Sequence, residues 1–261
     1  MTSVRRLYVM LCGFEIIPKT VSTRNLGANI IMSEPISAYL LDTTEGWILI
    51  DTGLDETRVD DPILAQTYFV NRGWKPPPVV LSVHRLRYQL SLLGLEPQMI
   101  SRVILTHTHA DHTGNLKYFR HAKIYIQRKE YEHSFRPQGE LGCACIREDY
   151  DYPDIDWHLM DGDWSVVPGL DMISTPGHTP GHQSARVVLP SGNIFILPAD
   201  AGDLLENFRD EILPGESVDD EAALKSIRLL NQLASEHNAC LFLGHDPVFI
   251  QTIKLAPDYY D

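Results

Sequence analysis

The sequence predicts a mixed α/β domain with its chemistry gathered at the ends of strands. Three observations carry this. Short apolar runs of strand length recur along the 261 residues, among them Val103-Ile104-Leu105, Ile194-Phe195-Ile196-Leu197 and Cys240-Leu241-Phe242-Leu243. Stretches with helical spacing lie between them, the longest over 219–235. A histidine or aspartate follows directly on several of the strand-like runs. The length suits one domain, 1–261, with ample core.

The elements follow in order. Residues 5–11 are expected to form an edge strand, and the Pro-, Ser-, Asn- and Gly-bearing stretch 18–36 a loop. Residues 36–41 and 47–50 read as a hairpin turning at Thr44-Glu45-Gly46. Residues 54–80, with Tyr68, Phe69, Trp74 and a run of three prolines, read as an irregular loop that walls a pocket or meets a second subunit. Leu81, Leu86, Leu90 and Leu93 have helical spacing and end at Gly94. The strand 103–105 leads into a loop, a helical stretch at 115–120, a strand at 124–126 and a short helix at 128–133. A second long loop, 135–156, is the other expected pocket wall. Short strands are expected at 157–160, 164–167 and 170–174, and a hairpin from 186–189 with 194–197. An amphipathic helix at 219–235 should face Leu224, Ile227, Leu230 and Leu233 inward, ahead of a last strand at 240–243.

Thr106-His107-Thr108-His109-Ala110-Asp111-His112-Thr113-Gly114 holds three histidines and one aspartate within six positions. Imidazole and carboxylate are the ligands a borderline divalent cation such as zinc takes. Their desolvation would be wasted unless something bound them. His178 in the turn Thr175-Pro176-Gly177-His178-Thr179-Pro180-Gly181-His182, Asp200 and His245 each follow a further strand. Seven ligands are too many for one tetrahedral zinc and suit two metals sharing a carboxylate. Asp51, closing the second hairpin strand, is expected to accept a hydrogen bond from a ligand histidine and set its tautomer. His182 is expected to hold its turn rather than bind metal. His84, His121, His133, His158 and His237 read as surface histidines.

A net charge of −13 argues against nucleic acid as partner. No run approaches the ~20 apolar residues of a membrane span. Arg5-Arg6 followed by Leu7-Tyr8-Val9-Met10-Leu11 is a first strand rather than a secretion signal, because the apolar run is short and has no small-residue cleavage site. Cys12, Cys143, Cys145 and Cys240 make no disulfide framework, so a cytoplasmic setting with reduced thiols is expected. Cys143-Ala144-Cys145, with no second cysteine pair, reads as a plain loop.

The H-x-H-x-D-H run, the T-P-G-H turn, the later Asp and the G-H-D end resemble the metallo-β-lactamase superfamily. Tyr39 to Gly46, Val166 to Gly169, Thr175 to Ser184 and Leu243 to Asp246 look like its N-acyl-homoserine lactonase branch. The resemblance implies a four-layer αβ/βα sandwich, which the two halves of strands followed by helices fit. It implies that His107, His109 and His178 hold one metal and Asp111, His112 and His245 a second. Asp200 would bridge them. It also implies two divalent cations, zinc foremost, and a hydroxide shared between them that opens a lactone ring. Asp111 or Asp200 would pass the proton to the leaving alkoxide. The substrate would be an N-acyl-homoserine lactone or a related small ester, with a homodimer possible and quorum-signal degradation the implied purpose.

Two positions depart from that branch. Asp203 stands where the lactonases place a tyrosine three residues after the bridging aspartate; as a catalytic residue it could stabilise an oxyanion only when protonated. Tyr68, Tyr150 or Tyr152 would be the source of a replacement hydroxyl. Ala110 replaces a bulky apolar residue and should widen the pocket. The main alternative on the same ligands is a thioesterase of the glyoxalase II kind, which the absence of an evident basic patch disfavours. A metal sensor or diiron redox protein is a third reading; His109 and the lack of a flavin domain argue against it. There is no G-x-S-x-G nucleophile motif.

Overall fold

The computed structural model describes residues 2–137 and 141–261. The part of the expected second loop at 138–140 lies outside them.

The chain opens with a long two-stranded ribbon, β1 (Val4–Pro18) and β2 (Ile31–Thr43). Their antiparallel register runs from Val4↔Thr43 to Pro18↔Ile31. Both strands are longer than expected, and residues 31–36 are strand rather than loop. Pro35 is tolerated because β3 (Gly46–Ile50) pairs with β2 only as far as Tyr39, so β2 has no second partner at Pro35. Beyond it the chain forms two short helices, α1 (Glu56–Asp60) and α2 (Pro62–Tyr68), in the stretch expected to be irregular. Their start signals are local. Asp55 accepts from Thr57 N, Asp61 accepts from Ile63 N and Leu64 N, and Pro62 occupies the first helical position.

α3 (Leu86–Leu92) is shorter than the leucine spacing suggests; Leu86 and Leu90 are buried, while Leu81 precedes the helix and is exposed. Then come β4 (Ile100–Ile104), the single turn α4 (Ala110–Thr113), a 3-10 turn at Leu116–Phe119, β5 (Lys123–Gln127), α5 (Arg128–Ser134) and β6 (Asp156–Met160). They complete a six-stranded sheet ordered β1-β2-β3-β4-β5-β6, parallel from β3 onward. The second half supplies β7 (Trp164–Val167), β8 (Leu170–Ser174), β9 (Gln183–Val188), β10 (Ile194–Leu197), α6 (Leu205–Arg209), α7 (Asp220–His237) and β11 (Cys240–Leu241). These strands form a five-stranded sheet ordered β11-β10-β9-β8-β7. β9 begins three residues earlier than expected and ends one residue earlier. β11 is cut to two residues because the chain turns away at Phe242, whose N–H still donates to Ile196 O.

Period-two alternation sorts each strand between two cores. Ile48 and Ile50 of β3, with Leu7, Val9, Tyr39 and Leu41, face Leu170, Met172, Val187, Leu197 and Phe242 from the other sheet. Leu49, Tyr8, Met10 and Leu40 point the other way, onto Leu86, Leu90, Leu116 and Phe119. Outside the second sheet, Ile196 and Leu243 pack on Phe208 of α6 and Ile227 and Leu230 of α7. Helices, two sheets and helices again make the four layers. The C-terminal tail returns to the edge strand, with Leu7 and Tyr260 exchanging both backbone hydrogen bonds at 2.8 and 2.9 Å. Among the described residues no helix is long and apolar enough to cross a membrane.

Candidate metal centre

The strand ends converge. β4 ends at Ile104 and delivers the segment 106–113; β8 leads to the turn 175–182; β10 leads to Asp200; β11 leads to His245. Backbone bonds tie these ends together. Gln183 N donates to Thr106 O at 3.0 Å, and Thr52 N donates to His112 O at 2.8 Å. Gln183 Nε2 reaches Leu105 O at 2.8 Å.

The turn Pro176 to His182 can lie where it does because two of its residues are glycine. A Cβ on Gly177 would sit 2.3 Å from the backbone of Ala223 in α7, and Gly177 has φ +140°. A Cβ on Gly181 would sit 2.1 Å from Glu130 N in α5.

Asp200 is the centre of the arrangement. Its Oδ2 lies 3.5 Å from His107 Nε2 and 3.3 Å from His178 Nε2. Its Oδ1 lies 3.2 Å from His112 Nε2 and 3.1 Å from His245 Nε2. His109 Nδ1 is 3.0 Å from His178 Nε2, and Asp111 Oδ2 is 3.0 Å from His112 Nε2. Two four-residue groups result, each with its ligand atoms within 4.8 Å of one another: His107, His109, His178, Asp200, and Asp111, His112, Asp200, His245. The seven residues picked from the sequence therefore meet in space, with one carboxylate belonging to both groups.

Surrounding bonds orient several of these side chains. His178 Nδ1 donates to Glu216 O at 2.7 Å, which leaves Nε2 as the free lone pair. His112 Nδ1 donates to Asp51 Oδ2 at 2.8 Å, again freeing Nε2. Asp51 also accepts from Thr106 N and Oγ1, both at 2.8 Å. His182 donates from Nδ1 to Thr175 O, and its Nε2 accepts from Asp200 N at 3.1 Å. It thus holds the backbone of the shared aspartate and is not in either group. Burial lowers the His109 and His182 imidazoles to about 3, so both are neutral, the form that can offer a lone pair.

The donor set fits metal. His107 Nε2, His112 Nε2 and Asp200 Oδ1 are buried and, among the described residues, have close neighbours but no contact of hydrogen-bond geometry. Buried polar atoms without partners are costly, and these three lie around the carboxylate that the two groups share. Two imidazole-rich groups with a shared carboxylate are the chemistry of borderline divalent cations.

Sequence reasoning missed Glu130. Its side chain is fully buried in α5 and binds both ligand loops. Oε1 accepts from Thr108 N and Oγ1 at 3.1 and 3.0 Å; Oε2 accepts from Thr179 Oγ1 and Gly181 N at 2.7 and 3.1 Å. Nothing in its short helix marks it, because its partners are 22 to 51 residues away.

A cavity of about 250 Å³ opens beside the ligands. Both expected loops contribute, the first through Arg72, Gly73, Trp74 and Lys75, the second through Cys143 and Ala144. The unforeseen wall is the far end of the ribbon, Glu15 to Pro18 with Ser22 and Glu34. Asp203 lines the cavity as well. Burial, then the nearby Asp200, raise its carboxyl to about 8. The expectation of a replacement tyrosine fails. Tyr68, Tyr150 and Tyr152 are not in the wall; Tyr150 is fully buried and donates to Ser134 O, and Tyr68 lies under Arg58. Ala110 is buried with its N–H donating to Ala144 O, and it too is absent from the wall. None of the four cysteines is joined in a disulfide among the described residues.

The metallo-beta-lactamase superfamily model matches residues 33–245. The chain belongs to that superfamily. It is 32% identical to an N-acyl homoserine lactonase of Bacillus cereus, over 98% of this chain and 99% of the relative. It is 33% identical to the N-acyl homoserine lactonase AttM of Agrobacterium fabrum, over 87% of each. Among solved structures, an N-acyl homoserine lactone hydrolase with the product N-hexanoyl-L-homoserine at its catalytic metal center superposes with a TM-score of 0.87. That match has 30% identity and covers all of both chains. This superfamily member is accordingly a metal-dependent hydrolase, and its four-layer architecture is the family's.

Proposed function

We propose that this hydrolase opens the ring ester of a lactone, an N-acyl-homoserine lactone in the first instance, as a single domain over 1–261. The observation that carries the reading is the Asp200 carboxylate, with one oxygen toward His107 and His178 and the other toward His112 and His245. Kinship with lactonases along almost the whole chain supports it. His107, His109 and His178 would hold one divalent cation, Asp111, His112 and His245 a second, and Asp200 both. Zinc fits the donor set best. When bound, the pair supplies an activated water near neutral pH and Lewis-acid polarisation of the carbonyl.

The chain's own part is orientation and proton handling. Asp51, Glu130 and the Glu216 carbonyl set the imidazoles and their loops before substrate arrives. Asp111 or Asp200, both in the cavity lining, would pass a proton to the ring oxygen as its bond to the carbonyl carbon breaks. Asp203 lines the same space.

The test is lactone hydrolysis followed by a pH indicator, for zinc-loaded wild type and His109→Ala, with thioesters alongside. Turnover of acyl-homoserine lactones that is lost in the variant upholds the reading. Thioester turnover exceeding lactone turnover would replace it with the thioesterase.

A further inference from the structure

α6 ends at Arg209 and α7 begins at Asp220, and between them the chain has no regular structure. This stretch nevertheless carries the Glu216 carbonyl that His178 Nδ1 meets at 2.7 Å. A carbonyl on an irregular segment has no helix or sheet ladder to fix it, so its place is set by the bonds on either side of it.

On one side those bonds go to the ligand turn itself. Val218 N and Asp219 N donate to Gly177 O at 2.8 and 3.1 Å. On the other side they go to the tip of the β1–β2 ribbon. Gly215 N donates to Val21 O at 2.7 Å, and Arg24 N donates to Leu213 O at 2.9 Å. Arg24 Nη2 reaches Gly215 O at 3.3 Å, while its Nη1 pairs with Asp220. Asn207, fully buried, donates to Ser22 O and to Ile212 O, both at 2.8 Å. Gly215 lies hard against the ribbon. A Cβ there would fall 2.1 Å from Thr20 O and 2.7 Å from Val21 O, backbone atoms that have no rotamer to swing away. Its φ is not positive, so the position needs glycine for space rather than for backbone freedom.

We propose that Gly215 is a positioning residue of the metal centre: its seat on the ribbon tip holds the Glu216 carbonyl where it fixes the tautomer and direction of His178. This rests on the reading of His107, His109 and His178 as holders of one cation, and it adds the ribbon tip to what orients them. Disturbing a group that orients a ligand imidazole typically costs about 10- to 100-fold in metal affinity. Asp111, His112 and His245 have no hydrogen bond or ion pair to residues 213–219 among the described residues, so the loss should fall on one cation only.

The experiment titrates zinc against a chromogenic chelator for wild type and Gly215→Ala, with urea denaturation of both metal-free proteins. One of the two zinc equivalents is expected to weaken by about 10-fold or more in the variant, and the other to keep its affinity. Both equivalents unchanged, or both weakened alike in step with lower stability, overturns the proposal and leaves the two-cation reading standing. Nitrogen NMR of the imidazole rings in the metal-free wild type should show His178 protonated at Nδ1; a ring protonated at Nε2 overturns the proposal. Should Gly215→Ala not fold, Arg24→Ala takes its place, since it loses the bond to Gly215 O without adding an atom. A smaller loss at one equivalent is then expected, and no loss overturns the proposal. A wild type that binds no zinc overturns both readings.

Discussion

Asp51 shows how a residue outside the ligand set governs it. It sits at φ +60°, an uncommon conformation that aspartate tolerates, and there its carboxylate meets both His112 Nδ1 and the Thr106 backbone. Asp51→Ala should therefore lower metal affinity by roughly 10- to 100-fold with the ligands themselves intact. Competition with a chromogenic chelator measures it; unchanged affinity would mean the histidine is oriented by packing alone. Asp200 differs in kind, because it belongs to both groups. Asp200→Ala should cost both cations, read as metal content near zero after dialysis, whereas His245→Ala should spare the group of His107, His109 and His178.

Among the elements, α5 is the one whose role exceeds its length. Glu130 accepts four hydrogen bonds from two loops that arrive from different sheets. Removing a buried charged acceptor strands its donors, so Glu130→Ala should destabilise by about 3 kcal/mol or more. Activity should fall with it, since the loops carrying His107, His109 and His178 are no longer locked together. Urea denaturation gives the first quantity, and a Glu130→Gln variant that recovers only part of it would separate the charge from the shape. The ribbon is the second element of note. Its extension past residue 11 puts Glu15 and Glu34 in the cavity wall.

At the scale of the molecule, three apolar clusters and one charge cluster set stability. Phe242 lies between the sheets, 1% exposed, edge-on to Tyr39, Phe195 and Phe249. Phe242→Ala should cost about 3–5 kcal/mol and lower Tm without changing metal content. Burying this cluster of imidazoles and carboxylates costs desolvation, which bound cations would offset. A chelator should consequently lower Tm, by the equivalent of ~4 kcal/mol when free metal had stood at a thousand times its Kd. Calorimetry with and without chelator checks this, and an unshifted Tm would count against metal as the occupant of the two groups.

What the sequence determined by itself was local or tightly spaced. The seven positions that meet in the two His/Asp groups, the strands that lead to them, the hairpin at Thr44-Glu45 and the amphipathic helix from 219 are all readable, because their signals lie within a few residues of one another. Asp51 was legible for the same reason, standing at a strand end. The tertiary structure decided whatever depends on partners far along the chain. The reach of β1 and β2 was set by their pairing with each other, not by an apolar run. Glu130 became a keystone only because residues 108, 179 and 181 fold onto it. That no tyrosine among the described residues lines the cavity, while Glu15, Glu34 and Asp203 do, follows from which faces of the ribbon and loops turn inward. Hydrophobic period and ligand spacing are written along the chain, whereas the company a buried carboxylate keeps is written only in space.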